Sequence, residues 1–227
     1  MIGATAPYRR RGRGRVIPLD VAVQFIVVSI ALALVPGPDN LFVLLQSAIG
    51  GSRRGVAVTL GLCTGLVVHT AAVALGVAAI FQASATAFTA LKILGAAYLL
   101  YLAYGAFRAG GGTPAGGGTE GAAAERSGLA LYGRGVLMNL TNPKVAIFFL
   151  AFLPQFVKAD AGSVTFQIAQ LGMLFILSAL VVFCAIACAA GSLGGWLKRS
   201  PRAIPVMNKV AGCVFVGLAA RLAMAER

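Results

Sequence analysis

Two oppositely charged residues occupy equivalent positions in otherwise apolar runs of the chain. Asp39 follows Pro38, and Lys144 follows Pro143, so the two Pro-charge pairs lie 105 residues apart in the chain. Asp39 is the only carboxylate that falls inside an apolar run. If these runs cross a membrane, a charged side chain at the centre of the bilayer costs about 2.5–3.5 kcal/mol to insert. Asp39 then needs a partner, a wet cavity or a proton.

Lys144 is the natural partner of Asp39. At about 4 Å and an effective dielectric constant of about 20, two unit charges attract by roughly 4 kcal/mol, which is of the order needed to offset both insertions. One interpretation is a purely structural ion pair. The other is that carboxylate and ammonium separate and hold the opposite ends of a zwitterion, such as a free amino acid.

Uncharged polar residues flank the same two positions. Asn40, Asn139 and Asn142 either cap loose helix ends or bind a substrate, and the sequence does not divide these roles. His69 is the sole histidine and lies deep in an apolar run. It is a candidate proton relay or, equally, a hydrogen-bonded packing residue. Gln46 is expected to join helices.

The composition assigns these residues to a membrane protein. The chain has 227 residues, of which 59% are hydrophobic and 11% charged, and its mean hydropathy is +0.89. Soluble domains carry about 25% charged residues. A water-soluble domain and a disordered chain are therefore both excluded, and we predict an all-α, multispanning membrane protein.

Six apolar segments are long enough to approach the roughly 20 residues that a membrane-spanning helix needs. We predict them at Leu19–Ile49, Val56–Phe81, Phe88–Phe107, Leu129–Val157, Val164–Ala190 and Pro205–Met224. The predicted organisation is an Arg-rich tail (1–18), a three-helix repeat (19–108), a Gly/Ala-rich flexible linker (109–128) and a second three-helix repeat (129–224).

The first and fourth segments are broken at prolines. The breaks comprise Pro36, Gly37 and Pro38 in one segment and Pro143 in the other. Proline removes a backbone donor and clashes with the preceding turn, and unpaired backbone groups survive in a membrane only when buried in protein or lining a wet cavity. Two repeats of three spans have opposite orientations. This inverted-repeat plan is typical of secondary transporters, whose sites form at paired broken helices.

The net charge of +13 is concentrated between the apolar segments. This pattern is typical of cytoplasmic loops and does not favour nucleic-acid binding. The basic residues cluster in alternate gaps, which predicts that both termini face outside, although the Arg-rich tail argues for the opposite orientation. The clusters are Arg53/Arg54, Arg108/Arg126/Arg134 and Lys198/Arg199/Arg202/Lys209.

Other chemistries find less support in the sequence. The four cysteines lie in apolar stretches away from the breaks, no metal-ligand set is present, and no nucleotide-binding Gly-rich loop precedes a Lys-Ser/Thr pair. We therefore predict no cofactor, no metal and no enzymatic activity. A membrane-embedded redox carrier and an intramembrane enzyme remain the alternatives.

The chain resembles the LysE/RhtB family of amino-acid exporters, over roughly Leu19–Met224. Spacing favours its homoserine/threonine branch. The Arg-rich start and the long Gly-rich linker depart from the family pattern. The segments that carry the resemblance are Pro36–Val43, Gly61–His69, Leu91–Leu102, Asn139–Lys144 and Leu153–Phe156.

The resemblance implies proton-driven export of small amino acids or related metabolites across the bacterial cytoplasmic membrane. Asp39, Lys144, Asn40, Asn142 and His69 are the expected substrate and proton-coupling residues. The expected partners are an amino-acid substrate, protons and the lipid bilayer, and a homo-oligomer is compatible with the sequence.

Overall fold

The computed structural model describes residues 17–83, 85–108, 127–158, 161–199 and 202–224, and these residues form helices joined by short connections. The all-helical prediction is confirmed for this part of the chain. The Arg-rich tail up to residue 16 and residues 109–126 of the predicted linker lie outside the described residues.

Both predicted breaks are present. The first segment consists of α1 (Leu19–Leu34) and α2 (Pro38–Gly50), which are bent by 63° relative to each other. The fourth consists of α5 (Gly128–Leu140) and α6 (Pro143–Ile147), continued by a π-helix (Phe148–Phe152) and a 3₁₀ turn (Leu153–Phe156). The bend at this second break is 51°. Proline at the first helical turn explains why each helix restarts where it does.

The remaining helices are α3 (Ser52–Ala83), α4 (Ala85–Arg108), α7 (Val164–Arg199) and α8 (Ala203–Met224). Within the described residues, α3, α7 and α8 are long and apolar enough to cross a membrane, and the count is up to five if each bent pair is one span. The apolar stretch of α4, Ile93–Arg108, is shorter. A sixth span at α4 therefore stays a prediction.

Helices from the two predicted halves pack against each other. The long helix α3 lies against α5 and α7, α1 lies against α7, and α4 lies against α8. Close approach of α3 and α5 depends on glycine: a methyl group on Gly61 would overlap the backbone of Tyr132, and one on Gly135 would overlap the backbone of Val58. The Gly61–Gly65 spacing thus marks a helix contact.

These contacts define two ends of the molecule. At one, which we call the arginine end, Gly55 near the start of α3 faces Ser47 and Ala187. At the other, the terminal end, Arg221 near the end of α8 donates to the Gln24 side chain of α1 (3.1 Å). The two chain ends of the described bundle, at Leu19 and Met224, therefore lie on the side opposite Arg53 and Arg54.

Candidate functional site

The two helix breaks meet in the interior of the bundle, and Asn142 connects them. Its side-chain Nδ2 donates to Asp39 Oδ2 at 2.9 Å, while its Oδ1 accepts from the backbone N–H of Lys144 at 3.0 Å. Asn142 is therefore the N-cap of α6 and, at the same time, a hydrogen-bond donor to the carboxyl group of the other half. Of the two roles that the sequence left open, the structure shows the capping one, and substrate binding by Asn142 stays a prediction.

Polar side chains also satisfy the end of α1, where proline interrupts the helix. Asn40 Nδ2 donates to the carbonyl oxygen of Ala33 at 2.7 Å, and Lys144 Nζ donates to that of Val35 at 3.3 Å. These carbonyls have no helical donor of their own because the chain turns at Pro36. The break is thus lined by protein groups rather than exposed to lipid.

Asp39 and Lys144 are both buried, with 2% and 9% of their surface exposed. They line the same cavity, but no hydrogen bond joins them: Lys144 Nζ bonds to Val35, and Asp39 Oδ1 has no partner. The carboxyl group lies in the first turn of α2, and the ammonium lies at the end of α1. Each charge therefore has the helix-dipole end of opposite sign beside it.

The cavity between the breaks is small. Its free volume is about that of a single water molecule, so the described conformation does not hold an amino acid there. Apolar side chains from α1, α3 and α7 complete its wall. The lining residues are Leu32, Ala33, Asp39, Leu66, Asn139, Lys144, Val145, Phe175, Ala179 and Phe183.

His69 lies next to this cavity and not in its wall. Its Nε2 is 3.3 Å from the carbonyl oxygen of Asn139, and its ring is 5.7 Å from that of Phe149, centroid to centroid. The ring is half-buried. His69 therefore contacts the end of α5, where the fourth segment breaks.

Asn139 is more central than the sequence indicated. It is 1% exposed, it lines the cavity, and its side chain fits against α3 because Gly65 has no Cβ. The sequence marked it only as a flanking amide. Two features of the sequence could have indicated its buried position: Asn139 lies one turn before Pro143, and a small residue, Gly65, occupies the facing position of α3.

A cluster of phenylalanine rings beside the cavity was not predicted. Neighbouring rings lie 5.0–6.1 Å apart between centroids. Part of the cluster is carried by the π-helix, a form frequent at functional sites. The rings, which we call the aromatic cluster, belong to Phe25, Phe148, Phe149, Phe152, Phe156 and Phe175.

The cysteines that a redox carrier would use lie away from this cavity. Cys63 is buried in α3, and Cys184, Cys188 and Cys213 lie on α7 and α8. None of the four lines the cavity. Within the described ranges, no group of three or more His, Cys, Asp or Glu side chains could hold a metal ion.

Comparison with known proteins places the chain in a family. The sequence model of the LysE type translocators matches residues 30–226. The chain is 33% identical over 202 residues to a homoserine/homoserine lactone efflux protein of Salmonella typhimurium, covering 89% of this chain and 95% of that protein.

A second relative is a membrane protein of Vibrio cholerae, 31% identical over 208 residues, with 92% of this chain and 98% of that protein covered. No solved structure matches the chain. The apolar helices, the family match and the relatives agree on a multi-pass protein of the bacterial inner membrane. This chain belongs to the LysE type translocator family.

Proposed function

We propose that the protein exports small amino acids or their derivatives, of the homoserine or threonine type, by proton antiport. The family is one of translocators, and the Salmonella typhimurium relative is named for efflux of homoserine and homoserine lactone. The observation that carries the proposal is the buried carboxyl group of Asp39, which is shared between two broken helices through Asn142.

The proposed architecture has six spans in two inverted three-helix repeats, with α4 as the third span. The packing supports it. Exchanging the halves maps the α3–α5 contact onto the α7–α1 contact, and the α3–α7 and α4–α8 contacts onto themselves. A two-fold axis in the membrane plane has this consequence. Transporters of this plan bind their substrate between the paired breaks, and we propose the same position here.

In the proposed mechanism, Asp39 takes up a proton from one side and releases it on the other. Asp39 and Lys144 are the groups for the two ends of a zwitterion, with Asn40 and Asn142 orienting them and His69 as the candidate relay. Because the two charges are not hydrogen-bonded to each other, each is available to a ligand. The water-sized cavity must widen for loading, which fits rocking of one half against the other.

The direct test is uptake into inverted membrane vesicles with an imposed pH gradient, acidic inside. An exporter of this kind accumulates its substrate in the vesicle lumen, and a proton ionophore removes the accumulation. The screen covers the common amino acids with L-homoserine and L-threonine included, and vesicles without the protein provide the background. Accumulation of none of them above background contradicts the proposal.

A further inference from the structure

A continuous row of aromatic rings leads from the cavity to the terminal end. Phe175 is part of the cavity wall, and its ring lies 5.1 Å from that of Phe148 between centroids. Phe148 is 6.1 Å from Phe25, and Phe25 is 5.0 Å from Phe156. The row ends at Arg221, whose guanidinium carbon is 4.3 Å from the centroid of the Phe156 ring. The aromatic cluster therefore lies between the cavity and the terminal end.

These rings seal that side of the cavity against water. Phe25 and Phe148 are 0% exposed, and Phe156 is 6% exposed. Hydrophobic constrictions close a membrane pathway by excluding water from it. A carrier that exchanges protons for substrate needs such a barrier, because an open aqueous path through the bundle would dissipate the proton gradient.

The contact between the two halves of the chain passes through the same rings. Phe25 belongs to α1 in the first predicted half, whereas Phe148 and Phe156 belong to the π-helix and the 3₁₀ turn of the second. Rocking of one half against the other, the movement proposed above, would separate Phe25 from the two rings of the second half. Opening the cavity towards the terminal end therefore requires these ring contacts to break.

Arg221 joins the two halves at the outer edge of the cluster. Its guanidinium lies over the Phe156 ring of the second half, and its Nη2 donates to Gln24 Oε1 of the first half at 3.1 Å. Gln24 directly precedes Phe25, so this hydrogen bond holds the helix that carries the inner ring. Arg221 and Gln24 are both exposed, where a cation–π contact and a single hydrogen bond are each weak. Weak contacts at the edge of an apolar seal suit a closure that opens in every transport cycle.

We propose that the aromatic cluster is the gate on the terminal-end side of the cavity, and that Arg221 is the latch that holds it closed by bridging Phe156 and Gln24. The proposal rests on the proposed export function and adds the control of access to the same cavity. Its consequence is one-sided. Release of the latch exposes the cavity to the terminal end and leaves access from the arginine end as it was.

The test measures access to the cavity from each side separately. In the full-length protein with its four cysteines replaced, Ala179→Cys places a thiol in the cavity wall, at a position that is 1% exposed. A membrane-impermeant, cationic methanethiosulfonate is applied to intact cells and to inverted vesicles, and its reaction rate is measured in both. Met224→Cys in the same background identifies the preparation in which the terminal end faces the reagent.

Arg221→Gln removes the cation, and we expect the rate from the terminal side to rise at least about fivefold while the rate from the arginine side changes by less than about twofold. Arg221→Lys keeps a cation but not the planar guanidinium, so its increase should be smaller. Gln24→Glu should slow labelling from the terminal side, because a carboxylate binds a guanidinium more strongly than an amide does.

The matched control is Arg108→Gln. Arg108 also lies over an aromatic ring, that of Tyr104 at 5.4 Å, and donates to its hydroxyl group at 2.7 Å. This contact lies within α4, so its loss should leave both labelling rates at the level of the unmodified protein.

Three results overturn the proposal. Unchanged labelling of Arg221→Gln from the terminal side shows that Arg221 does not hold the cavity closed. An equal increase from both sides shows a general loosening of the bundle, and faster terminal-side labelling of Gln24→Glu shows that the contact with Gln24 does not act as a latch. Because labelling needs no substrate, its outcome is independent of the uptake screen, so failure of the gate and failure of the export function are told apart.

Discussion

At the scale of single residues, the site holds two opposite charges inside an apolar bundle without a direct hydrogen bond between them. Asp39 is stabilised by the N-terminus of α2 and by Asn142. Lys144 is stabilised by the Val35 carbonyl group at the end of α1. Opposite helix ends thus take the place of a direct ion pair, which was one of the two interpretations that the sequence left open, and both charged residues line the cavity.

Removing either charge is expected to abolish export without preventing membrane insertion. Asp39→Asn keeps the shape and the contact with Asn142 but carries no titratable proton, and Lys144→Met keeps the apolar stem. The measurement is amino-acid accumulation in inverted vesicles, with protein content determined on the same membranes. Asp20→Asn and Lys209→Met change exposed charges and should leave export near the level of the unmodified protein. Normal export by both Asp39→Asn and Lys144→Met rules out the proposed roles.

Comparing gradient-driven export with substrate exchange separates the proton-coupling role of Asp39 from substrate binding. If Asp39 must change its protonation state during each cycle, export driven by a pH gradient requires it, but exchange of substrate for substrate does not require a net proton movement. Asp39→Asn should therefore lose gradient-driven accumulation by at least about tenfold while retaining more of its exchange activity. Equal loss of both activities would assign Asp39 to substrate binding alone.

At the scale of helices, glycine decides how closely α3 approaches α5. Gly61→Ala would place a methyl group against the Tyr132 carbonyl, and a backbone atom cannot move aside as a flexible side chain can. We expect a loss of about 1–3 kcal/mol in stability, the usual cost of overpacking, seen as a lower thermal unfolding midpoint in detergent.

The matched control for Gly61→Ala is Gly76→Ala on the same helix. A methyl group at Gly76 meets open space, so this substitution should be neutral or stabilising by up to about 1 kcal/mol because alanine favours the helix. Equal destabilisation by the two changes would show that helix propensity, and not the α3–α5 contact, explains the effect.

The aromatic cluster gives the π-helix its packing. Phe148 is fully buried and contacts the rings of Phe25, Phe152 and Phe175. Phe148→Ala should cost about 3 kcal/mol, the low end for large-to-small changes, since lipid reduces the transfer part of the penalty but not the lost packing. Phe166→Ala, at a side chain that is 49% exposed, is the control in the same unfolding assay and should cost far less.

At the scale of the whole molecule, Arg53 and Arg54 lie on the side of the described bundle opposite to Leu19 and Met224. Arg53 and Arg54 start α3 at the arginine end, while Leu19 and Met224 lie at the terminal end. The positive-inside rule applied to the arginine end is the basis of the predicted external termini, whereas the Arg-rich tail argues for the opposite orientation.

Cysteine labelling in intact cells tests this orientation. In a cysteine-free background, Met224→Cys should react with a membrane-impermeant maleimide, and Arg53→Cys should react only after the cells are opened. The reverse pattern would place the termini in the cytoplasm and contradict the predicted orientation. Arg202→Cys, an exposed position at the start of α8, should behave like Arg53→Cys.

The sequence by itself determined the class of the protein, the two broken segments and the charged residues beside the breaks. Hydropathy and proline act over a few neighbouring residues, so the interruptions at Pro38 and Pro143 and the buried charges beside them could be predicted locally. The family resemblance was confirmed for the same reason, since it depends on these short motifs in order along the chain.

Only the tertiary structure decided how these residues meet. That Asn142 bonds to Asp39, that Lys144 bonds to the end of α1, and that Asn139 lines the cavity all depend on contacts across about a hundred residues of chain. No local pattern encodes them, because a side chain's partner is set by the packing of helices from opposite halves. The π-helix at Phe148–Phe152 likewise packs against rings that come from other helices, Phe25 of α1 and Phe175 of α7.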